Sequence, residues 1–206
     1  MNKSQLERIF SEERLKPYYE KLQDHEKVGN LYKLNIQLSE AFYTSLSVIE
    51  ITLRNVIHHS CKRYFNDEFW FKNCLPEELV KQVIDTENKI KNIYKTPTSG
   101  RIVSELTFGF WTMLFNRKYA PLLWKPLHQV FIHSPHSLRR RAEISPRLNS
   151  IRIFRNRIYH YEPIIWNLDV LKHQHNTIIE ILNWLDLDIV KWINDIDRLP
   201  ELLKNK

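Results

Sequence analysis

From Leu31 to about Asn66, the positions Leu34, Leu38, Ala41, Ser45, Ile49, Leu53 and Val56 step by three or four residues without a break. A period near 3.6 puts all seven on one side of a helix, and so predicts one long central helix against which other segments must pack. The chain has three glycines, Gly29, Gly100 and Gly109, which leaves little material for hairpin turns or phosphate-cradling loops. No strand-like alternation of useful length occurs. The expectation is an all-α bundle, two-thirds or more helical, built on that central element.

The flanking segments also read as helices. Residues 4 to 28 form a helix interrupted or restarted near Pro17, with Ser4 as its cap and Gly29-Asn30 as its stop. Pro76-Glu77-Glu78 opens a helix through about Tyr94, and 96 to 100 is the clearest loop. Ile102 to Asn116, rich in aromatic residues, reads as one core helix. Pro121 and Pro126 flank Leu122-Leu123-Trp124, and a short helix follows from Leu127 to Phe131. A basic helix from about Ser137, open to a break at Pro146, precedes Leu168 to Leu185 and then Leu187 to Leu203, kinked or stopped before Pro200.

A length of 206 residues suits one body, residues 1–206, large enough for a real core. The formal charge of +7 favours a polyanionic partner, and the excess is concentrated: seven arginines and one acid, Glu143, lie between Arg139 and Arg157. By itself such a run reads as a solvated helix face; taken with the motif that overlaps it, Arg139, Arg140, Arg141, Arg147, Arg152 and Arg157 are the candidate nucleic-acid-binding cations, since phosphate contacts supply most sequence-independent affinity. Cys61 and Cys74 are too far apart for a zinc knuckle or a redox pair, and no secretory leader is read, so a cytoplasmic location is expected. No run of about 18 apolar residues occurs, so no membrane span is expected.

The chemistry concentrates in Ile153-Phe154-Arg155-Asn156-Arg157-Ile158-Tyr159-His160-Tyr161-Glu162-Pro163. Arginine offers a permanent planar fork of donors matched to phosphate, and histidine gains and loses a proton near neutrality. Arg155, Asn156, His160, Glu162 and Pro163 resemble the Arg-Asn-x-x-x-His motif with its following Glu-Pro, as found in Abi-like (abortive-infection) proteins of the HEPN ribonuclease superfamily. Ile49-Glu50-Ile51-Thr52-Leu53-Arg54-Asn55 is similar to an early-helix element of the same proteins. The resemblance covers about a third of the chain. It implies a HEPN-like bundle and a metal-independent endoribonuclease without a cofactor, acting in phage defence or as a toxin. Its partners would be RNA, a second copy of the chain in a homodimer with a composite site, and an antitoxin, either protein or RNA. Arg155, Asn156 and His160 would be catalytic, with Glu50, Arg54, Tyr159, Tyr161 and Glu162 in support. Some HEPN toxins are silenced at a tyrosine in an Arg-x4-His-x-Tyr pattern; Tyr159 and Tyr161 depart from that context here.

Arg54-Asn55-Val56-Ile57-His58-His59 also satisfies the bare pattern. Within a regular helix, residues five apart lie about 140° apart around the axis, so Arg54 and His59 diverge. The later copy is favoured because Pro163 forces its helix to end nearby, leaving His160 free to turn back towards Arg155. Glu50 and Arg54, one turn apart, also read as a simple ion pair. His128, His133, His136, His173 and His175 lack the spacing of a metal site and read as surface histidines. Asp186, Asp188, Asp195 and Asp197 read as the wet face of a C-terminal helix. No metal site is expected. The competing reading is a non-catalytic helical module that binds RNA through its basic stretch and dimerises through Arg155 and His160.

Overall fold

A computed structural model describes residues 2–22, 24–94 and 96–204. About 78% of the chain is helical and no strand occurs among the described residues, so the fold is all-α. The order is α1 (Lys3–Phe10), α2 (Glu12–Tyr19), α3 (His25–Phe65), α4 (Trp70–Asn73), α5 (Glu77–Tyr94), α6 (Ser99–Glu105), α7 (Phe108–Met113), a 3-10 turn, α8 (Ala120–His128), a second 3-10 turn, α9 (Arg141–Tyr159), α10 (Leu168–Leu185), α11 (Leu187–Asn194) and α12 (Leu199–Lys204).

The 41-residue α3 is the axis of the molecule, about 60 Å long at 1.5 Å per residue. Asp24 caps it by accepting from the Glu26 and Lys27 N–H groups, and Asn66 ends it in the left-handed conformation. Leu38, Ala41, Ser45, Ile49 and Leu53 are buried as the periodicity requires, and Phe42, Leu46, Ile57 and Cys61 are buried beside them. Burial therefore extends beyond one stripe, because α2, α6, α7, α8, α10 and α12 all pack onto α3. One contiguous core results, running from Tyr18 to Leu203, with Trp70 and Trp111 its largest fully enclosed side chains.

Several expected boundaries move, each for a local reason. Gly29 does not stop the helix: α3 begins at His25 and runs through it, and a Cβ there would meet the Leu6 methyls of α1 at 3.4 and 3.6 Å, so α1 docks closely at this point. The N-terminal break falls at Ser11, φ 69°, rather than near Pro17, which lies inside α2; Asn2, not Ser4, caps α1. The stretch 102–116 is two helices. Leu106 turns extended and the Thr107 hydroxyl caps α7 by accepting from the Phe110 N–H. The segment around Pro121 and Pro126 is itself helical as α8, with Pro121 in its first turn, and only a 3-10 turn covers Gln129–Phe131. The basic helix starts at Arg141 and continues through Pro146, and the final run stops at Asn194 before restarting at Leu199.

Candidate active site

Three elements build the site. The last turns of α9 carry Arg155, Asn156, Arg157 and Tyr159; its C-cap is His160, φ −92° and ψ 9°; and the turn from Tyr161 to Ile164 leads away. Phe154 anchors the helix by packing edge-on against Phe42 of α3, ring centroids 4.7 Å apart. The next residue, Arg155, reaches the Glu50 carboxylate of α3, with both Nε and Nη2 at 3.3 Å from Oε2. The guanidinium also lies over the Tyr159 ring, 3.9 Å from its centroid. Arg155 and Glu50 are both partly buried, so the geometry of this cation is fixed before any ligand arrives. Burial pushes the Tyr159 phenol above its ordinary pKa, with Arg155 opposing and Glu50 and Tyr43 adding to the shift.

His160 is exposed, and its imidazole has no hydrogen-bond partner among the described residues. The helix ends at Tyr159, as Pro163 requires, yet the imidazole does not turn back onto Arg155; Tyr159 occupies that place. The turn itself is tightly held. Tyr161 sits in the left-handed region at φ 58°, a conformation uncommon for a bulky residue. Arg14 of α2 donates from Nη1 to the carbonyls of His160 (3.1 Å) and Tyr161 (2.9 Å), placing a cation against the orphan carbonyls of the helix C-terminus. Asn35 of α3, 3% exposed, accepts the Ile164 N–H at 2.8 Å and donates to the Glu162 carbonyl at 3.5 Å. Arg157 donates to the Pro163 carbonyl at 2.7 Å and pairs with Glu162 at 3.3 Å.

Sequence reasoning missed Arg14 and Asn35. An amide among the buried residues of a helix was a legible sign of a buried hydrogen bond to be satisfied, although not of its partner. Nothing near Arg14 pointed to a turn 146 residues away.

The expected supporting pair separates: Glu50 joins Arg155, and Arg54 instead donates to the Ser104 carbonyl at 3.0 Å. The earlier copy of the pattern is not assembled either. Arg54 faces α6, His59 is exposed, and neither touches the other.

The basic stretch divides by role. Arg139 donates to the Ile132 and Ser134 carbonyls and the Ser134 hydroxyl, and Arg141 reaches the Phe115 carbonyl at 3.4 Å. Arg147 is held by Glu143 (3.0 Å) and Glu180 (3.2 Å) and lies over Trp184. These three and Arg157 are committed to the protein's own structure. Arg140, with only a 3.5 Å contact to Glu143, and Arg152, which binds Asn149 one turn away, keep outward-facing charge.

Two further expectations are corrected. His175 is buried, and its Nε2 lies 2.5 Å from the Asp197 carboxylate, so neither belongs to a wet face: together they tie the α11–α12 connection to α10. Among the described residues, no three His, Cys, Asp or Glu side chains gather as metal donors, and no helix is long and apolar enough to cross a membrane.

Beside the motif, Tyr32, Asn35, Ile36, Ser39, Glu40 and Tyr43 of α3 face Ile158, Tyr159 and Tyr161 across a groove of about 550 Å³. Fold and site together define an all-α protein with an anchored arginine and an open histidine at one helix end. Compared with family models, curated proteins and solved structures, the chain matches none.

Proposed function

We propose that the protein is a HEPN-like, metal-independent endoribonuclease in which the ribose 2′-hydroxyl attacks the adjacent phosphate. The observation that carries this reading is the pairing of Arg155 with Glu50. It joins the two sequence elements that resemble Abi-like proteins into one site, next to an exposed histidine with no competing partner. His160 moves the proton as general base or acid, and Arg155 stabilises charge developing on the phosphoryl oxygens. Asn156, whose side chain makes no hydrogen bond among the described residues, orients the imidazole or the phosphate. Arg140 and Arg152 supply non-specific attraction to the RNA backbone. Each chain presents one well-placed histidine, so a two-fold dimer with facing motifs provides both proton acceptor and proton donor. Such an enzyme acts where RNA is abundant, in the cytoplasm, as a phage-defence effector or a toxin held by an antitoxin.

The test replaces His160 with Ala and measures cleavage and binding of the same RNA, in excess EDTA. Cleavage should collapse while affinity stays within a fewfold, and a 2′-deoxy or 2′-O-methyl group at the scissile position should block the wild type without abolishing binding. The 5′ product should end in a 2′,3′-cyclic phosphate. Equal loss of binding and cleavage in the variant would favour the non-catalytic RNA-binding module, and comparable cleavage of DNA would rule out the assigned chemistry.

A further inference from the structure

The groove beside the motif has a composition that the proton-transfer scheme does not use. Four tyrosines line it, with Ile36 and Ile158, and among the described residues its one charged lining residue is an acid, Glu40, which pairs with Arg198 at the rim. Two further cations stand at its motif end: Arg155 over Tyr159 and Arg14 over Tyr161, 5.9 Å from the ring centroid. Tyr43 is 58% exposed and Tyr161 71%, so both rings are open to a ligand. The left-handed backbone of Tyr161, held by the Arg14 hydrogen bonds, fixes that ring at the mouth of the groove.

We infer that this groove is a nucleobase subsite, binding the unpaired base of the nucleotide next to the scissile phosphate on the rings of Tyr43, Tyr159 and Tyr161. The inference rests on the ribonuclease reading and adds to it a substrate class: single-stranded RNA, or a loop whose bases are splayed out. Charge sets the polarity. The Glu40–Arg198 pair leaves that rim without net charge, so a phosphate is drawn to the motif end, whereas a flat, uncharged base gains from the tyrosine faces whatever its identity. The Tyr159 ring joins the two regions, since Arg155 lies on it and it also lines the groove. A volume of about 550 Å³ falls in the range of ligand-sized clefts. Paired bases cannot reach these rings, because in A-form duplex they remain stacked on one another.

The experiment uses the full chain and a fluorescein-labelled hexaribonucleotide with 2′-O-methyl riboses, which resists cleavage, in one form with all its bases and in others with a single abasic residue at each position in turn. Anisotropy reads affinity. The wild type should lose roughly tenfold in affinity at one abasic position. Tyr43→Ala and Tyr161→Asn, the latter keeping a residue tolerant of the left-handed turn, should lose a similar factor on the intact oligonucleotide and nothing further on that abasic one. Tyr43→Phe should bind like the wild type. Variants that bind the intact oligonucleotide normally, or that lose the same factor on both forms, overturn the subsite. So does a change of oligomeric state by light scattering with base dependence intact, which would make the groove an interface between copies. Base-dependent binding by a protein that leaves ordinary RNA uncut would overturn the ribonuclease reading and keep the subsite; cutting with no base dependence would do the reverse.

Discussion

Three histidines show how one residue type is put to different uses by its surroundings. His160 is open at a helix end, His175 is buried against Asp197, and His58 is buried with its Nδ1 accepting from the Trp70 indole at 3.1 Å. That bond leaves the proton of neutral His58 on Nε2, 3.8 Å from Glu68. His59 and Lys62 also act on the ring, and Phe71 packs near it. Burial dominates and lowers the pKa of His58 below its usual 6.5, with Glu68 opposing in part. The sign follows: below about pH 6.5 the unfolded chain takes up a proton that the folded one resists, so stability falls with acid across that window and is unaffected above it. Urea unfolding of the wild type and His58→Gln from pH 8 to 5 should show this component of the slope in the wild type only; parallel curves would mean that His58 protonates freely in the fold.

At the scale of elements, the central helix was legible because its periodicity persists over many turns and no local feature competes with it. The boundaries that moved were decided by caps and contacts that hydrophobic periodicity does not report. Gly29 reads as a stop, yet stays helical, inside a helix that Asp24 caps and at the point where Leu6 of α1 comes close. The expected approach of His160 to Arg155 is not made, because stacking of a guanidinium on a ring one turn away outweighs an exposed Arg–His approach. The roles of Arg139, Arg141, Arg147 and Arg157 were equally hidden, since each answers to carbonyls or carboxylates set by the tertiary fold. The break between α6 and α7 did leave a local trace in Thr107. Thr107→Ala removes the acceptor for the Phe110 N–H and should cost about 1 kcal/mol in urea unfolding, with helix content by circular dichroism unchanged. No loss of stability would mean that packing of Phe108, Phe110 and Trp111 alone fixes the break.

For the whole molecule, the question is what the exposed apolar surface around the motif does in solution. Ile36, Tyr43, Ile153, Tyr159 and Tyr161 are all 37% or more exposed, and they lie on α3, α9 and the turn that follows, around the anchored Arg155. A two-fold axis beside this end would bury Ile153, leave the rings of the groove open to a base, and bring the two His160 side chains into one cleft, giving 2′-hydroxyl attack both of its proton carriers. A stable interface of this kind covers about 1,600 Å² in total, with self-complementary contacts as two-fold symmetry demands. On that proposal light scattering should give a dimer, and the specific activity per chain should fall on dilution through the dissociation constant, since a lone protomer would hold half of the site. Ile153 offers an independent handle, being outside the groove and outside the proposed catalytic trio: Ile153→Glu would place two like charges near the axis, and should shift the protein towards monomer and lower cleavage in proportion, leaving the melting temperature of the isolated chain almost unchanged. A monomer that cleaves RNA at full rate when dilute would mean that one chain supplies both proton carriers, and the shared site would have to be abandoned.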